Sequence, residues 1–235
     1  MPDFQLILFD LDDTLFDFSA CWEKGMRQTI ASHPLTIGLD PDAVYEALQR
    51  HSDALWADIR EKRINFDQLR RLRLSRTLAE FGRRAETDRL DDFQEQYVAA
   101  CMAAVVPDRA VQSLLTQLEE RYTLAIVTNG PADMAFEKIE RLGLTSLFPA
   151  ERVFVSEQIG WHKPDRRIFA AVLERLGASP AETLFVGDNW TADIAGAMDA
   201  GLSAVWLNPA GMPPATDHKP LAVIKRLEEL WEIVA

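Results

Sequence analysis

Cysteine is nearly missing from this chain of 235 residues: there are two, Cys21 and Cys101, and no C-x-x-C pair. That excludes a disulfide framework and a thiolate-based structural zinc centre, and leaves buried free thiols as the expectation. Long apolar runs are missing too. The first, Phe4 to Phe9, stops at Asp10 and has no basic segment before it. Neither a secretory leader nor a membrane span is expected, and the chain is expected to be cytoplasmic. Positive charge is scarce, with 25 Lys and Arg against 37 Asp and Glu, a formal net charge of -12, and only six lysines. Such a surface suits a phosphodiester backbone poorly, so a nucleic-acid polymer is not an expected partner. A small anion held in a local pocket stays compatible with it.

Hydrophobic residues make up 48% of the chain, enough to bury a sizeable core. Short, nearly all-apolar runs at Phe4–Phe9, Tyr122–Val127, Val153–Val155, Thr183–Val186 and Ala204–Leu207 read as strands covered on both faces. Helical patterns at Ala110–Glu119, Met134–Leu142, Arg167–Leu176 and Ala192–Ala200 separate the later four. Alternating strands and helices predict an α/β fold with a parallel sheet, whose ligands gather at the carboxyl ends of the strands.

One interval breaks the alternation. Between Phe18 and Ala104 only helical patterns occur, near 20–31, 41–59, 66–81 and 86–104. The expected division is a core of residues 1–17 and 105–235 with an inserted helical domain of 18–104. The stretch from Arg60 to Arg84 carries nine basic residues against three acidic ones, inverting the sign of the chain as a whole. A solvated helix face, an interface with the acidic core and a set of substrate-attracting arginines all fit that pattern. Oligomeric state is not readable from the sequence.

Four polar sets follow the strands. Asp10, Asp12 and Asp13 crowd after the first, an arrangement that mutual repulsion and desolvation disfavour without a cation nearby. Asp10 and Asp12 are spaced as two groups flanking a reacting centre could be, one attacking and one donating a proton. Thr128-Asn129-Gly130 follows the second strand, with Pro131 at an early helical position. A hydroxyl and free N–H groups there can hold a phosphate, although TNG alone also fits a capped turn. Lys163-Pro164 comes after the third, where a fixed ammonium could neutralise a carboxylate and a phosphoryl group. GDNWTAD at Gly187–Asp193 closes the fourth, with Thr191 as a candidate helix cap. Asp188 and Asp193 together with Asp10 would suit Mg²⁺, which prefers a few carboxylates plus water and substrate phosphate.

Taken in order, DLDDT at Asp10–Thr14, Thr128, Lys163-Pro164 and GDNWTAD resemble the four motifs of the haloacid dehalogenase-like (HAD) hydrolase superfamily. The resemblance spans essentially the whole chain. It implies a five-stranded parallel Rossmann-like core and a mobile helical cap inserted after the first motif. By the resemblance, Asp10 is the nucleophile that becomes an aspartyl-phosphate, and Asp12 is the general acid and then base. Thr128, the Asn129 amide and Lys163 hold the phosphoryl group. Mg²⁺ sits between the Asp10 carboxylate, the Asp12 carbonyl, Asp188 and, directly or through water, Asp193. Dehalogenases of the superfamily lack the acid two residues after the nucleophile and need no metal, so the resemblance favours a phosphatase acting on a small phosphorylated substrate. A dehalogenase, a sugar phosphomutase and a non-enzymatic regulatory protein remain the alternatives. Among substrates, the layout with VWLNPAG at Val205–Gly211 is similar to capped nucleotidases acting on nucleoside monophosphates. Phe16, Phe18, Trp161 and Trp190 are candidates for contact with a base, or ordinary packing residues.

Overall fold

A computed structural model gives the fold and describes residues 4–235. The chain divides into two compact units, one made of the chain up to Phe18 with Val106–Ala235, the other of Ser19–Val105.

In the first unit, six parallel strands form one sheet in the order β3-β2-β1-β4-β5-β6. They are β1 (Leu6–Phe9), β2 (Thr123–Thr128), β3 (Val153–Val155), β4 (Thr183–Gly187), β5 (Ser203–Leu207) and β6 (Ala222–Ile224). The first five match the apolar runs, and β6 extends the expected five-stranded sheet by one. It is three residues long, with Val223 55% exposed at the sheet edge, so it lacks the buried run that betrays a central strand. β1 lies in the middle, with Leu6 opposite both Thr123 and Thr183. Because the chain goes to β2 on one side of β1 and later returns to β4 on the other, the strand order reverses there and leaves a crevice at the carboxyl ends.

Alternation sets the two faces. Leu6 and Leu8 join Val127, Phe154, Phe169 and Phe185 in one buried cluster, while Phe9, on the other face of β1, meets Phe148 edge-on at 6.3 Å. Each such side chain contributes about 1.5–3 kcal/mol by leaving water.

Four helices make up the second unit: α1 (Phe18–Ser32, whose first residue belongs to the sheet unit), α2 (Pro41–Arg60), α3 (Phe66–Glu80) and α4 (Thr87–Ala104). Asp40 caps α2 through the amides of Asp42 and Ala43, and Asn65 with Gln68 forms a reciprocal capping box on α3. α1 and α4 approach closely at Gly25, where a Cβ would lie 2.6 Å from the Cys101 nitrogen. The remaining helices belong to the sheet unit: α5 (Arg109–Glu119), α6 (Ala132–Arg141), α7 (Ser156–Ile159), α8 (Arg166–Leu176), α9 (Gly196–Asp199) and α10 (Leu230–Val234). No single helix among the described residues is long and apolar enough to cross a membrane.

Candidate active site

β1 delivers Asp10 to the crevice, and the Asp10 amide donates to the Val186 carbonyl of β4, fixing the strand end. The chain then turns sharply. Asp13 takes a left-handed backbone, φ 60°, which aspartate tolerates better than most residues, and an isolated bridge closes the loop between Asp12 and Phe16.

Asp10, Asp188 and Asp193 each place a carboxylate oxygen within 4.8 Å of the others. Asp193 is fully buried and Asp10 is nearly so. Two glycines make this packing feasible. A Cβ on Gly187 would fall 2.4 Å from Asp193 Oδ2, so only glycine lets that carboxylate lie across the end of β4. Its Oδ2 accepts from the Asn189 amide at 2.9 Å. A Cβ on Gly196 would meet Pro164 at 2.7 Å, so glycine also seats the Lys163 loop against the start of α9. Between Gly187 and α9 the backbone winds as a wide π-helical turn, Trp190–Ala195. Asn189, not Thr191, caps this turn, accepting from the Ala192 amide at 2.9 Å. The expected Thr191 cap is corrected because Thr191 already lies inside the turn. Pro131 likewise sits one residue ahead of α6, as its cap position.

Lys163 is 2% exposed, and its ammonium is 2.7 Å from both Asp10 Oδ1 and Asp193 Oδ1. The contact with Asp10 is an aligned hydrogen bond; that with Asp193 is close in distance but not aligned as one. Burial alone would push this ammonium down, but the two carboxylates outweigh it and hold it above its ordinary value. The Lys163 backbone is gripped as well: its N–H donates to Asn129 Oδ1 and its carbonyl accepts from Asn129 Nδ2, both at 2.9 Å. Both ends of the Asn129 side chain are thus committed to the lysine loop, leaving its backbone N–H as the group able to meet an anion. Thr128, 1% exposed at the end of β2, accepts from the Gly130 amide at 3.2 Å. Gly130 lies close to Asp12, since a Cβ there would be 3.5 Å from Asp12 Oδ2.

The Asp12 carboxylate is not part of the three-oxygen cluster. Both of its oxygens accept from Lys138 Nζ at 2.8 Å, and that ammonium lies 3.6 Å from the centre of the Phe18 ring. Burial raises the Asp12 carboxyl above the usual carboxylate range; Lys138 pulls against this, and Asp10 and Asp13 add repulsion. Sequence reasoning missed Lys138. It also missed Thr14, whose hydroxyl donates to Asp188 Oδ1 at 3.3 Å. Asp188 is pushed up to about 8 by burial and by the charges of Asp193, Asp10 and Asp13. Asp193 is raised for the same first reason, with Lys163 opposing.

The aromatic candidates divide. Trp190 is a core residue, 4.6 Å from Trp206 and bonded through Nε1 to Thr216. Trp161 lies under the Arg167 guanidinium at 3.4 Å, and Phe16 and Phe18 pack on each other.

An all-oxygen donor set of carboxylates on rigid strand ends is what a small hard divalent cation takes, and burial together with the neighbouring carboxylates raises Asp188 and Asp193, a cost that such a cation would relieve. The residues present therefore fit a divalent metal. This clustered, buried triad makes the site that of a metal-dependent phosphohydrolase.

Known proteins of similar sequence and fold include hydrolases of more than one activity. Over its full length the chain is 32% identical to YfnB of Bacillus subtilis (strain 168), covering 97% of that protein. A crystal structure of YfnB bound to magnesium superposes with a TM-score of 0.84, at 30% identity and 98% coverage of both chains. The pyrimidine 5'-nucleotidase PynA of Streptococcus pneumoniae (strain ATCC BAA-255 / R6) is 30% identical over 231 residues, 97% of this chain and 94% of PynA. The crystal structure of a 2-haloacid dehalogenase from Pseudomonas syringae pv. Tomato DC3000 matches with a TM-score of 0.73, at 30% identity and 98% coverage of both. The pattern of one family, haloacid dehalogenase-like hydrolase, matches residues 4–201, and the chain belongs to that family.

Proposed function

We propose that this protein is a Mg²⁺-dependent phosphomonoester hydrolase that works through an aspartyl-phosphate on Asp10. The observation that carries the reading is the contrast between two carboxylates two residues apart. Asp10 lies in the charge cluster against Lys163, whereas Asp12 stands outside it, half-buried against the buried Lys138, with its proton affinity raised. Carboxyl groups in such different environments can divide nucleophilic and acid–base work.

In the first step an Asp10 oxygen attacks phosphorus, the bond to the leaving oxygen breaks, and Asp12 gives that oxygen its proton. In the second, Asp12, now a carboxylate, takes a proton from water as the water attacks phosphorus and releases Asp10 and phosphate. Thr128 and the Asn129 N–H hold phosphoryl oxygens, and Lys163 offsets charge on the transferring group. A magnesium ion held by Asp10, Asp188, Asp193 and the Asp12 carbonyl would neutralise further charge on those oxygens. Nucleoside monophosphates are the leading substrates, by likeness to the nucleotidase PynA. The dehalogenase alternative gives Asp12 no proton to deliver.

The test is phosphate release from nucleotides, sugar phosphates and short phosphoacids, with Mg²⁺ and with chelator, beside halide release from 2-haloacids. Metal-dependent phosphate release is expected. Halide release without any phosphate release would overturn the reading.

Metal affinity should depend on pH. Asp188 must lose its proton to bind, so Mg²⁺ binding is expected to strengthen by up to about tenfold per pH unit below its value of about 8, and to level off above it. The same raised value predicts that the metal-free chain loses stability as pH climbs from about 4 towards 8. In that range the folded state holds a proton that the unfolded chain has released, and the advantage vanishes once Asp188 ionises. Calorimetric titration with Mg²⁺ and thermal melts across this range check both.

For Lys138→Met we expect kcat to fall by about 10- to 100-fold with little change in KM. Without its partner Asp12 holds its proton more tightly, which hinders donation to the leaving group more than it hinders uptake of a proton from water. A smaller burst of leaving-group release relative to steady turnover would show this; unchanged kcat would remove Lys138 from the mechanism.

A further inference from the structure

Three arginines of the basic stretch in the helical unit are paired with acids. Arg63 faces Asp58, Arg71 faces Asp91 and Arg70 faces Asp67. Arg73, on the inward face of α3 and only 7% exposed, does not. Its guanidinium reaches Gln94 Oε1 at 3.1 Å and Ser52 Oγ at 3.5 Å, and lies 5.4 Å from the centre of the Tyr97 ring. Tyr97 cannot serve as counter-ion, since burial holds its phenol well above its ordinary value. Burial pushes the Arg73 guanidinium down, and nearby Arg70 repels it further. A buried cation among neutral acceptors is unfavourable unless a negative charge joins it.

A second, independent observation lies at the same place. Gln94 Nε2 is buried and has no acceptor, and the amide cannot turn to find one without presenting its NH₂ group to the donors of Arg73. An amide with an idle donor therefore adjoins a guanidinium whose acceptors are all neutral and whose fork suits oxyanions. Both lack the same thing, a negatively charged oxygen.

We infer that Arg73 and Gln94, walled by the ring of Tyr97, form an oxyanion site inside the helical unit that takes the carboxylate or phosphate group of a small molecule. This site is made wholly of residues of the helical unit, and the inference stands whether or not the core hydrolyses phosphomonoesters.

The test uses the intact, ¹⁵N-labelled chain and the side-chain Nε–Hε resonance of Arg73, identified by its loss in Arg73→Lys. Inorganic phosphate and malonate are titrated separately in metal-free buffer. A saturable shift of the Arg73 resonance is expected with at least one of them, and the same titration in Asp10→Asn. Response to phosphate alone marks a phosphate-bearing ligand, and response to malonate alone a carboxylate. Gln94→Glu supplies the missing charge from within, so it should raise the melting temperature and abolish the response. An Arg73 resonance unmoved by both anions, or a Gln94→Glu chain that responds as the parent does, overturns the inference.

Discussion

Replacing Asp10 by asparagine is expected to lower phosphate release by about 10⁴-fold or more, the scale seen when a nucleophile that works as part of a unit is removed. Asparagine keeps the shape of aspartate but not its charge or its capacity to form the intermediate. The buried Lys163 ammonium retains a partner after the change, because Asp193 Oδ1 is as near to it as Asp10 Oδ1 was, at 2.7 Å. Folding should therefore survive, with circular dichroism and melting temperature close to those of the parent. Metal affinity should fall too, since one of three clustered carboxylates has become neutral. Pre-steady-state assays of leaving-group release separate the two losses: at saturating Mg²⁺ the Asp10→Asn chain should show no burst. Full turnover by this variant would sink the aspartyl-phosphate mechanism.

Lys163→Met should act on stability as strongly as on turnover. Methionine fills similar space but removes the cation facing two buried carboxylates. Breaking a buried pair from one side typically costs about 3–5 kcal/mol, because the remaining charge is stranded. For a chain of this size that corresponds to a fall of roughly 10 °C or more in melting temperature. Protonation of a stranded carboxyl softens the loss, so the deficit should widen as pH rises. Added Mg²⁺ should recover part of it by neutralising the same carboxylates, which no loss of ordinary packing would allow. A melting temperature within a degree of the parent, with or without metal, would show that the ammonium is not needed to hold the cluster. Turnover should be abolished even where Mg²⁺ restores the fold, since the charge beside the phosphoryl group is gone.

Much of this was legible in the sequence for a physical reason. Central parallel strands must be apolar on both faces, so Phe4–Phe9, Thr183–Val186 and Ala204–Leu207 stand out, and the polar residues that interrupt them fall at the crevice. The structure brings Asp10, Asp188, Asp193 and Lys163 together as the motif order suggested. Lys138 was hidden because it sits among Glu137, Glu140 and Arg141, and reads as one more surface charge. Its register gave a usable signal: Met134, Ala135, Lys138 and Ile139 share the buried face of α6, and a lysine there needs a partner. Gly187 and Gly196 were legible as glycines but not as close approaches, because the atoms they admit come from Asp193 and Pro164. Trp190 could not be assigned from its place in GDNWTAD; it opens the π-helical turn and packs against Trp206 of β5, a contact that nothing local in the sequence announces. Arg73 was visible as part of a basic stretch, but nothing local distinguished the buried arginine from its exposed neighbours.

The grip of Asn129 on the backbone of Lys163 has a consequence for anyone who sets out to redesign this protein. Residues 34 positions apart behave as one machined part, so a substitution in the loop after β2 misplaces the ammonium delivered by the loop after β3 even if neither touches a ligand. Libraries that vary the two loops separately will be filled with dead members for mechanical reasons. Those that hold this clasp fixed and vary positions elsewhere keep the lysine in place.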